Sequence, residues 1–257
     1  MSFGRIAVVA ENTVREAVRD KLLYNLLLFA ALMIASSILL AQLQIGYDER
    51  IYNDVGLAAI SFFGVLIAIF VGVNLVYREI ALKTVYAMLA KPIHRTEFLL
   101  GKYFGLLGTL LVEVAIMSLF FFAVLWLKSS AMSMGMVWAI ALIFCELALI
   151  TAVALFFSSF TTPYLSSMFT VALWICGHLL NDVRAFGRGP DAEMIRPVTE
   201  FLYWALPNLD RLDFKAEAAS GAVIELSQVA ASASYAALYA AVLIMLAALL
   251  FRRRDFR

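Results

Sequence analysis

The chain has 257 residues, of which 64% are hydrophobic and only 15% are charged. A soluble domain of this length needs more polar surface to cover its core, so the composition indicates a protein embedded in a membrane. The formal net charge of +1 gives no bulk attraction to nucleic acid, which is therefore excluded as an expected partner.

An amphipathic helix is predicted at the start of the chain, within residues 1–21. Ile6 and Val9 keep helical spacing on one face, whereas charged residues such as Arg15 and Glu16 take much of the other face. Helices with this pattern lie in the plane of a membrane interface. We therefore expect an interfacial helix that leads into the first span.

Six apolar runs are long enough to cross a hydrocarbon core of ~30 Å at a helical rise of ~1.5 Å per residue. Because hydrocarbon offers no water to the backbone, these runs should be helices. The sequence thus predicts an all-α integral membrane protein. Its six transmembrane runs are 22–43, 55–76, 103–127, 136–157, 164–180 and 235–251.

The distribution of Lys and Arg predicts that both termini lie in the cytoplasm. Basic residues are frequent in the N-terminal segment, in residues 77–102 and in the tail 252–257, whereas the short hairpins contain only Arg50 and Lys128. Short basic loops remain on the cytoplasmic side of a membrane. Residues 181–234, called here the outer segment, are also basic in places but are long and rich in acids, so the short loops decide the orientation.

The outer segment contains a short aromatic stretch that is too short to span a membrane. Pro190, Pro197 and Pro207 interrupt the segment, and residues 201–206 lie between the last two of them. A short helix at the outer interface, or re-entering it, satisfies its backbone because both ends can reach water. A plain surface loop is the alternative.

The sequence contains no recognisable ATP-binding motif of the G-x-x-x-x-G-K-[ST] type. If this chain moves a substrate, the energy must come from a partner subunit or from an ion gradient.

Residues 77–102, between the second and third runs, contain a dense group of charges. Pro92 should end one helix, because proline lacks an amide donor and disfavours helical geometry at Lys91. A second helix is expected to continue into the third run. Two short helices that meet at a proline predict a rigid docking surface, and the simpler interpretation is that these charges set the topology and bind anionic lipid headgroups.

This segment resembles the first cytoplasmic loop of ABC-2 type transporter permeases, and most closely that of the NosY-like branch. The similarity covers nearly the whole of residues 1–257, as a single ABC-2 type transmembrane domain. It is carried by Arg78-Glu79-Ile80, residues 83–86, 89–95 and 98–102, the stretch 206–215 and the basic tail 252–256.

The resemblance implies a non-catalytic permease subunit, most simply an exporter, in a bacterial cytoplasmic (inner) membrane. It implies a homodimer that binds two copies of an ABC ATPase subunit, with ATP and Mg held by that partner and no cofactor on this chain. An extracytoplasmic accessory protein is a further candidate partner. By the same resemblance, the residues that couple to the ATPase are Arg78, Glu79, Lys83, Thr84, Lys91, Pro92, His94 and Arg95.

Two acids fall in the middle of apolar runs. Glu113 and Glu146 each lie about ten residues into a predicted span, on consecutive antiparallel helices, which places both near the bilayer midplane. An ionised carboxylate is unfavourable there, so each should be protonated, paired or in contact with water. They are candidate substrate-pathway residues, or simply neutral interhelical hydrogen bonds. An ion-coupled secondary transporter that uses both acids is the alternative function.

His178 and Asp182 stand four residues apart, a spacing that suits a metal or acid–base pair but is more often a helix-end hydrogen bond. Methionine thioethers are soft ligands, so Met132, Met134 and Met136 are weak metal candidates together with His178, although apolar packing is the simpler explanation. An intramembrane enzyme is disfavoured because the chain contains neither a G-x-S-x-G nor an H-E-x-x-H motif.

Overall fold

The computed structural model describes residues 3–41, 48–81, 95–128, 132–188 and 194–253. Within these ranges every regular element is helical, and six helices, at 21–41, 48–81, 95–127, 134–158, 163–187 and 226–253, are long and apolar enough to cross a membrane. The prediction of an all-α, multi-pass membrane protein is confirmed. The helices are α1 (Phe3–Val18), α2 (Lys21–Ala41), α3 (Asp48–Ala81), α4 (Arg95–Leu127), α5 (Met134–Ser158), α6 (Pro163–Gly187), α7 (Arg196–Ala205), α8 (Lys215–Ala219) and α9 (Leu226–Arg253), with a 3₁₀ turn at Asp210–Leu212.

Helices α3 and α5 form the centre of the bundle. In their most apolar stretches 67% and 61% of residues are buried, against 22% in α2, α6 and α9. Close packing between the two helices depends on Gly64, where an added Cβ would lie 2.7 Å from a methyl carbon of Leu147. Small residues permit such close approach between membrane helices, where packing replaces the hydrophobic effect as the source of association. Contacts from α4, α6 and α9 complete the bundle around α5.

Helices α3 and α4 are longer than a bilayer requires. They contain 34 and 33 residues, or about 50 Å each at the helical rise, against a hydrocarbon core of about 30 Å. The two helices end and begin on either side of residues 82–94. The segment that resembles a coupling loop is therefore flanked by helical extensions of two spans.

Helix α4 begins at Arg95, eight residues before the apolar run 103–127, where a helix continuing into that run was expected. Glu97 and Lys102 lie in its first turns, and both are only 1% exposed. Each carries an ion pair to α1: Arg5 Nη1 lies 3.8 Å from Glu97 Oε2, and Lys102 Nζ lies 3.4 Å from Glu16 Oε2. Because their charges are compensated, these residues enter the packed helix.

Helix α1 packs lengthwise on the first half of α4. Gly101 and Gly105 provide the contact, since an added Cβ on either would lie 2.5 Å from the Cβ of Val9 or Thr13, respectively. The order of these contacts shows that α1 and α4 run in the same direction. A helix is thus present where the amphipathic pattern predicted one, and its apolar face is covered by α4. Its position in the membrane interface stays a prediction.

The outer segment is more helical than expected at both ends. Helix α6 continues to Gly187 rather than ending near residue 180, and α9 begins at Leu226 rather than near residue 235. Between them, the backbone N–H of Leu209 donates to the carbonyl of Gly177, 3.1 Å away. Gly177 lies ten residues before the end of α6, or about 15 Å along its axis. Leu209 itself is completely buried, so this stretch is packed between helices.

Candidate functional site

A fully enclosed carboxyl group, that of Glu146 on α5, joins the central helix to α6. Its Oε1 atom lies 3.0 Å from Trp174 Nε1, which donates a hydrogen bond, and 3.0 Å from His178 Nε2. Trp174 and His178 are four residues apart and share one face of α6, with their rings edge to face at 5.6 Å. The carboxyl group thus has two partners on the neighbouring helix.

The contacts of Glu146 provide partners for a carboxyl group in an apolar environment. A polar or charged group without a partner is unfavourable within a membrane. Trp174 and His178 both reach Oε1 from α6 and so join the two helices.

Each member of the Glu146–His178 pair has a second polar atom that is buried. Glu146 Oε2 and His178 Nδ1 have no hydrogen-bond partner among the residues that the structure describes. An unsatisfied buried polar atom costs about 1–3 kcal/mol, so such atoms are usually explained by a function or by a bound molecule. These two atoms can accept or donate a hydrogen bond to a water, an ion or a polar group of a substrate.

Aromatic rings border the pair on the side of α3. Phe62 lies 6.4 Å from the ring of Trp174, centroid to centroid, and is 44% exposed. The Glu146–His178 pair therefore lies where α3, α5 and α6 meet, next to aromatic rings of which Phe62 is partly exposed.

The spacing of His178 and Asp182 suited a pair on one helical face, but the structure gives His178 a different partner. His178 turns to Glu146, whereas the side chain of Asp182 is exposed. The tertiary contact replaces the local one because a buried carboxyl group needs a donor more than an exposed carboxylate does. The four-residue spacing of Trp174 and His178 could have been noticed in the sequence. Their common hydrogen-bond partner on α5, Glu146, could not have been identified from it.

Glu113, the other candidate pathway acid, lies on α4 and is 2% exposed. Neither of its carboxyl oxygens has a hydrogen-bond partner in the described part of the chain. Glu146 and Glu113 therefore differ in environment. Among the described residues, the interhelical hydrogen bond considered for both acids is present for Glu146, through Trp174, and not for Glu113.

The outer segment is fixed to α6 and α9 by a polar network that sequence reasoning missed. The backbone N–H of Asn208 donates to the Tyr235 hydroxyl at 2.9 Å, and its side-chain amide donates to Asn181 Oδ1 at 2.9 Å. Asn181 in turn donates to the carboxylate of Asp210. These contacts hold the stretch 206–215, part of the resemblance, against two spanning helices.

A second cluster, the arginine clamp, joins the end of α6 to α7. Arg184 donates to both oxygens of Glu200, at 3.2 and 3.0 Å, and Arg188 donates to Glu200 Oε1 at 2.8 Å. The Arg184 guanidinium also stacks 3.9 Å above the ring of Tyr203. The hydrogen bond from Arg184, and to a lesser extent that from Arg188, holds the pKa of Glu200 below its ordinary value. A hydrogen bond from Arg211 lowers the pKa of Tyr203.

The residues expected to couple to an ATPase lie at or beyond the edge of the described chain. Arg78 and Glu79 belong to the last turns of α3, and Arg95 is the first residue of α4. The others lie outside the described residues; they are Lys83, Thr84, Lys91, Pro92 and His94. Their coupling role stays a prediction.

The methionine run does not form a common ligand set. Met136 is 2% exposed and belongs to the apolar core, whereas Met132 and Met134 are more than half exposed. Among the described residues no group of three His, Cys, Asp or Glu side chains could hold a metal ion.

No protein family model matches this chain, and no curated protein matches it. The functional proposal therefore depends on the residues and contacts described above.

Proposed function

We propose that this chain is the membrane-spanning permease subunit of an ATP-binding cassette transporter of the ABC-2 type, within the NosY-like branch. The order of its elements supports this proposal. A helix packed on the bundle precedes six apolar helices, a charged segment separates the second from the third, and a folded outer segment separates the fifth from the sixth.

The observation that carries the proposal is the construction around residues 82–94. Helices α3 and α4 extend toward this segment beyond the length that a bilayer requires, and α1 braces the first turns of α4 through two ion pairs. Such a brace would transmit a movement of the charged segment into a span instead of absorbing it. A subunit driven by an external ATPase needs a stiff connection of this kind.

In this proposal the chain works as a dimer that forms the substrate pathway and binds two ATPase subunits, which carry ATP and Mg. The chain itself is not catalytic. Both termini face the cytoplasm of a bacterial cell, and transport most simply runs outward. Glu146 and His178 would meet polar groups of the substrate, because they present unsatisfied buried atoms at the junction of three helices.

Charge reversal at the ends of α3 and α4 tests the coupling role. Glu79→Arg and Arg95→Glu should each abolish the ATPase activity that depends on this chain, while insertion into the membrane stays normal. Arg19→Glu is the matched control, because Arg19 is an exposed cation outside this segment and on the same predicted side of the membrane. Unchanged ATPase activity in both coupling variants would count against the docking role.

A second candidate function, ion-coupled transport without an ATPase, is favoured by one observation. Glu113 and Glu146 both present buried carboxyl oxygens without partners among the described residues, as proton-carrying sites often do. In that case Glu113→Gln and Glu146→Gln would each abolish uptake driven by a pH gradient in vesicles that contain no nucleotide. Gradient-driven uptake that persists in both variants would exclude this mechanism.

A further inference from the structure

A long apolar groove, the α4–α9 groove, runs along one side of the bundle between α4 and α9, with α5 as its floor. Its wall on α4 is bulky, and its wall on α9 consists mainly of alanines. The residues that define it here are Leu100, Tyr103 and Phe104 on α4, Phe144 on α5, and Ala237 and Ala241 on α9. Phe104, Ala237 and Ala241 are exposed, so the groove opens to the surroundings of the bundle.

The groove contains hardly any polar atom that is available to a ligand. The Tyr103 hydroxyl, which could have supplied one, is directed to the carbonyl of Ala148 at 3.3 Å. The α9 wall extends from Ala233 to Ala248, about 22 Å along the helix. An occupant must therefore be a long hydrocarbon and not a polar solute.

The groove is long and open on one side. Its volume is about 590 Å³, distributed over about 22 Å along α9. These dimensions suit one extended acyl chain, and a helix of a second copy laid over the open side is the alternative occupant that the test below distinguishes.

Basic residues adjoin both walls of the groove in the sequence. Thr96 lines one end of the groove and directly follows Arg95, while Ala248 lines it from α9, one helical turn before Arg252. Both helices place an arginine at the same end, and Arg253 follows in the sequence. Basic residues at a membrane interface attract anionic headgroups.

We propose that the α4–α9 groove binds one acyl chain of an anionic phospholipid, whose phosphate lies at the arginines that end α9 and begin α4. The lipid would fill the gap between α4 and α9 and so join the helix that α1 braces to the last span. This inference does not rest on the proposed function, because it concerns only the surface of this chain.

The test uses the full chain in vesicles that contain a photoactivatable phospholipid with a diazirine in its acyl chain. The probe is phosphatidylglycerol in one preparation and phosphatidylcholine in the other, and labelled peptides are identified by mass spectrometry. The expected result is labelling concentrated in α4 and α9, several-fold stronger with phosphatidylglycerol.

Two kinds of variant sharpen this test. Ala237→Phe and Ala241→Phe fill the groove and should reduce the labelling several-fold, whereas Ala172→Phe, at an exposed alanine of α6, should leave it unchanged. Arg252→Gln is outside the residues that line the groove and should reduce the preference for phosphatidylglycerol. This variant keeps the test decisive if the phenylalanine variants fail to fold.

Two results would overturn the proposal. One is labelling spread evenly over α2, α6 and α9 with no preference for phosphatidylglycerol. The other is rapid disulfide formation between two copies of an Ala237→Cys variant in vesicles, which would show that a second copy of the chain covers the groove.

Discussion

Replacement of Trp174 by phenylalanine tests the geometry of the Glu146 site with the smallest change in shape. The variant keeps an aromatic ring on α6 but removes the N–H that donates to Glu146 Oε1 at 3.0 Å. The acceptor left behind is completely buried, and a buried polar group that loses its partner costs about 1–3 kcal/mol. We therefore expect the free energy of unfolding to fall by about 1–3 kcal/mol, or roughly fivefold to a hundredfold in the unfolding equilibrium constant.

The measurement is a reversible denaturant titration of the purified chain in mixed micelles, followed by circular dichroism. Trp126→Phe is the matched control, because Trp126 is 72% exposed at the end of α4. If Trp174→Phe is no more destabilising than Trp126→Phe, the proposed hydrogen bond does not contribute and the reasoning is refuted.

Three further outcomes rest on other contacts. Gly105→Ala places a methyl group 2.5 Å from the Cβ of Thr13 on α1. This overpacking should lower the melting midpoint by about 2–4 °C for each kcal/mol of lost stability. Gly108→Ala is the control and should leave the midpoint unchanged, because the nearest atom, on Val14, lies at 3.4 Å. Gly177→Ala should expose residues 206–212 to protease, because its added carbon would lie 2.7 Å from a buried leucine of that stretch; an unchanged digestion pattern would contradict the docking. Arg184 holds the pKa of Glu200 below its ordinary value of 4.5. The arginine clamp therefore stabilises the folded state fully above pH 4.5, and this stabilisation is lost as the pH falls through the lowered pKa of Glu200. Proteolysis between α6 and α7 should accelerate only in that acidic range, and a flat pH profile would contradict the clamp.

The number and order of the spans could be predicted because backbone amides and carbonyls in hydrocarbon must hydrogen-bond within the chain, as they do in a helix. Their ends could not be predicted from apolar runs alone. The sequence predicted that a helix continues from the charged segment into the third run, and α4 begins at Arg95. A local pattern could not show that Glu97 and Lys102 are buried against α1, where Arg5 and Glu16 pair with them.

The candidate site could likewise be predicted only in part. Burial of Glu146 followed from its position in an apolar run, but its partners depend on how α5 and α6 rotate against each other. The sequence shows that Asp182 lies on the same helical face as His178, but only packing shows that Glu146 lies 3.0 Å from His178 Nε2. The arginine clamp joins residues on two helices, and no spacing rule connects them.

The mass of the intact complex, purified gently from native membranes with a tag on this chain, tests the proposed function most directly. The account predicts two copies of the chain together with two copies of an ATP-hydrolysing subunit. A chain that is consistently isolated without an ATPase, in several mild detergents and in native lipid particles, would contradict the account. That result would favour ion-coupled transport through Glu113 and Glu146 as the function of this chain.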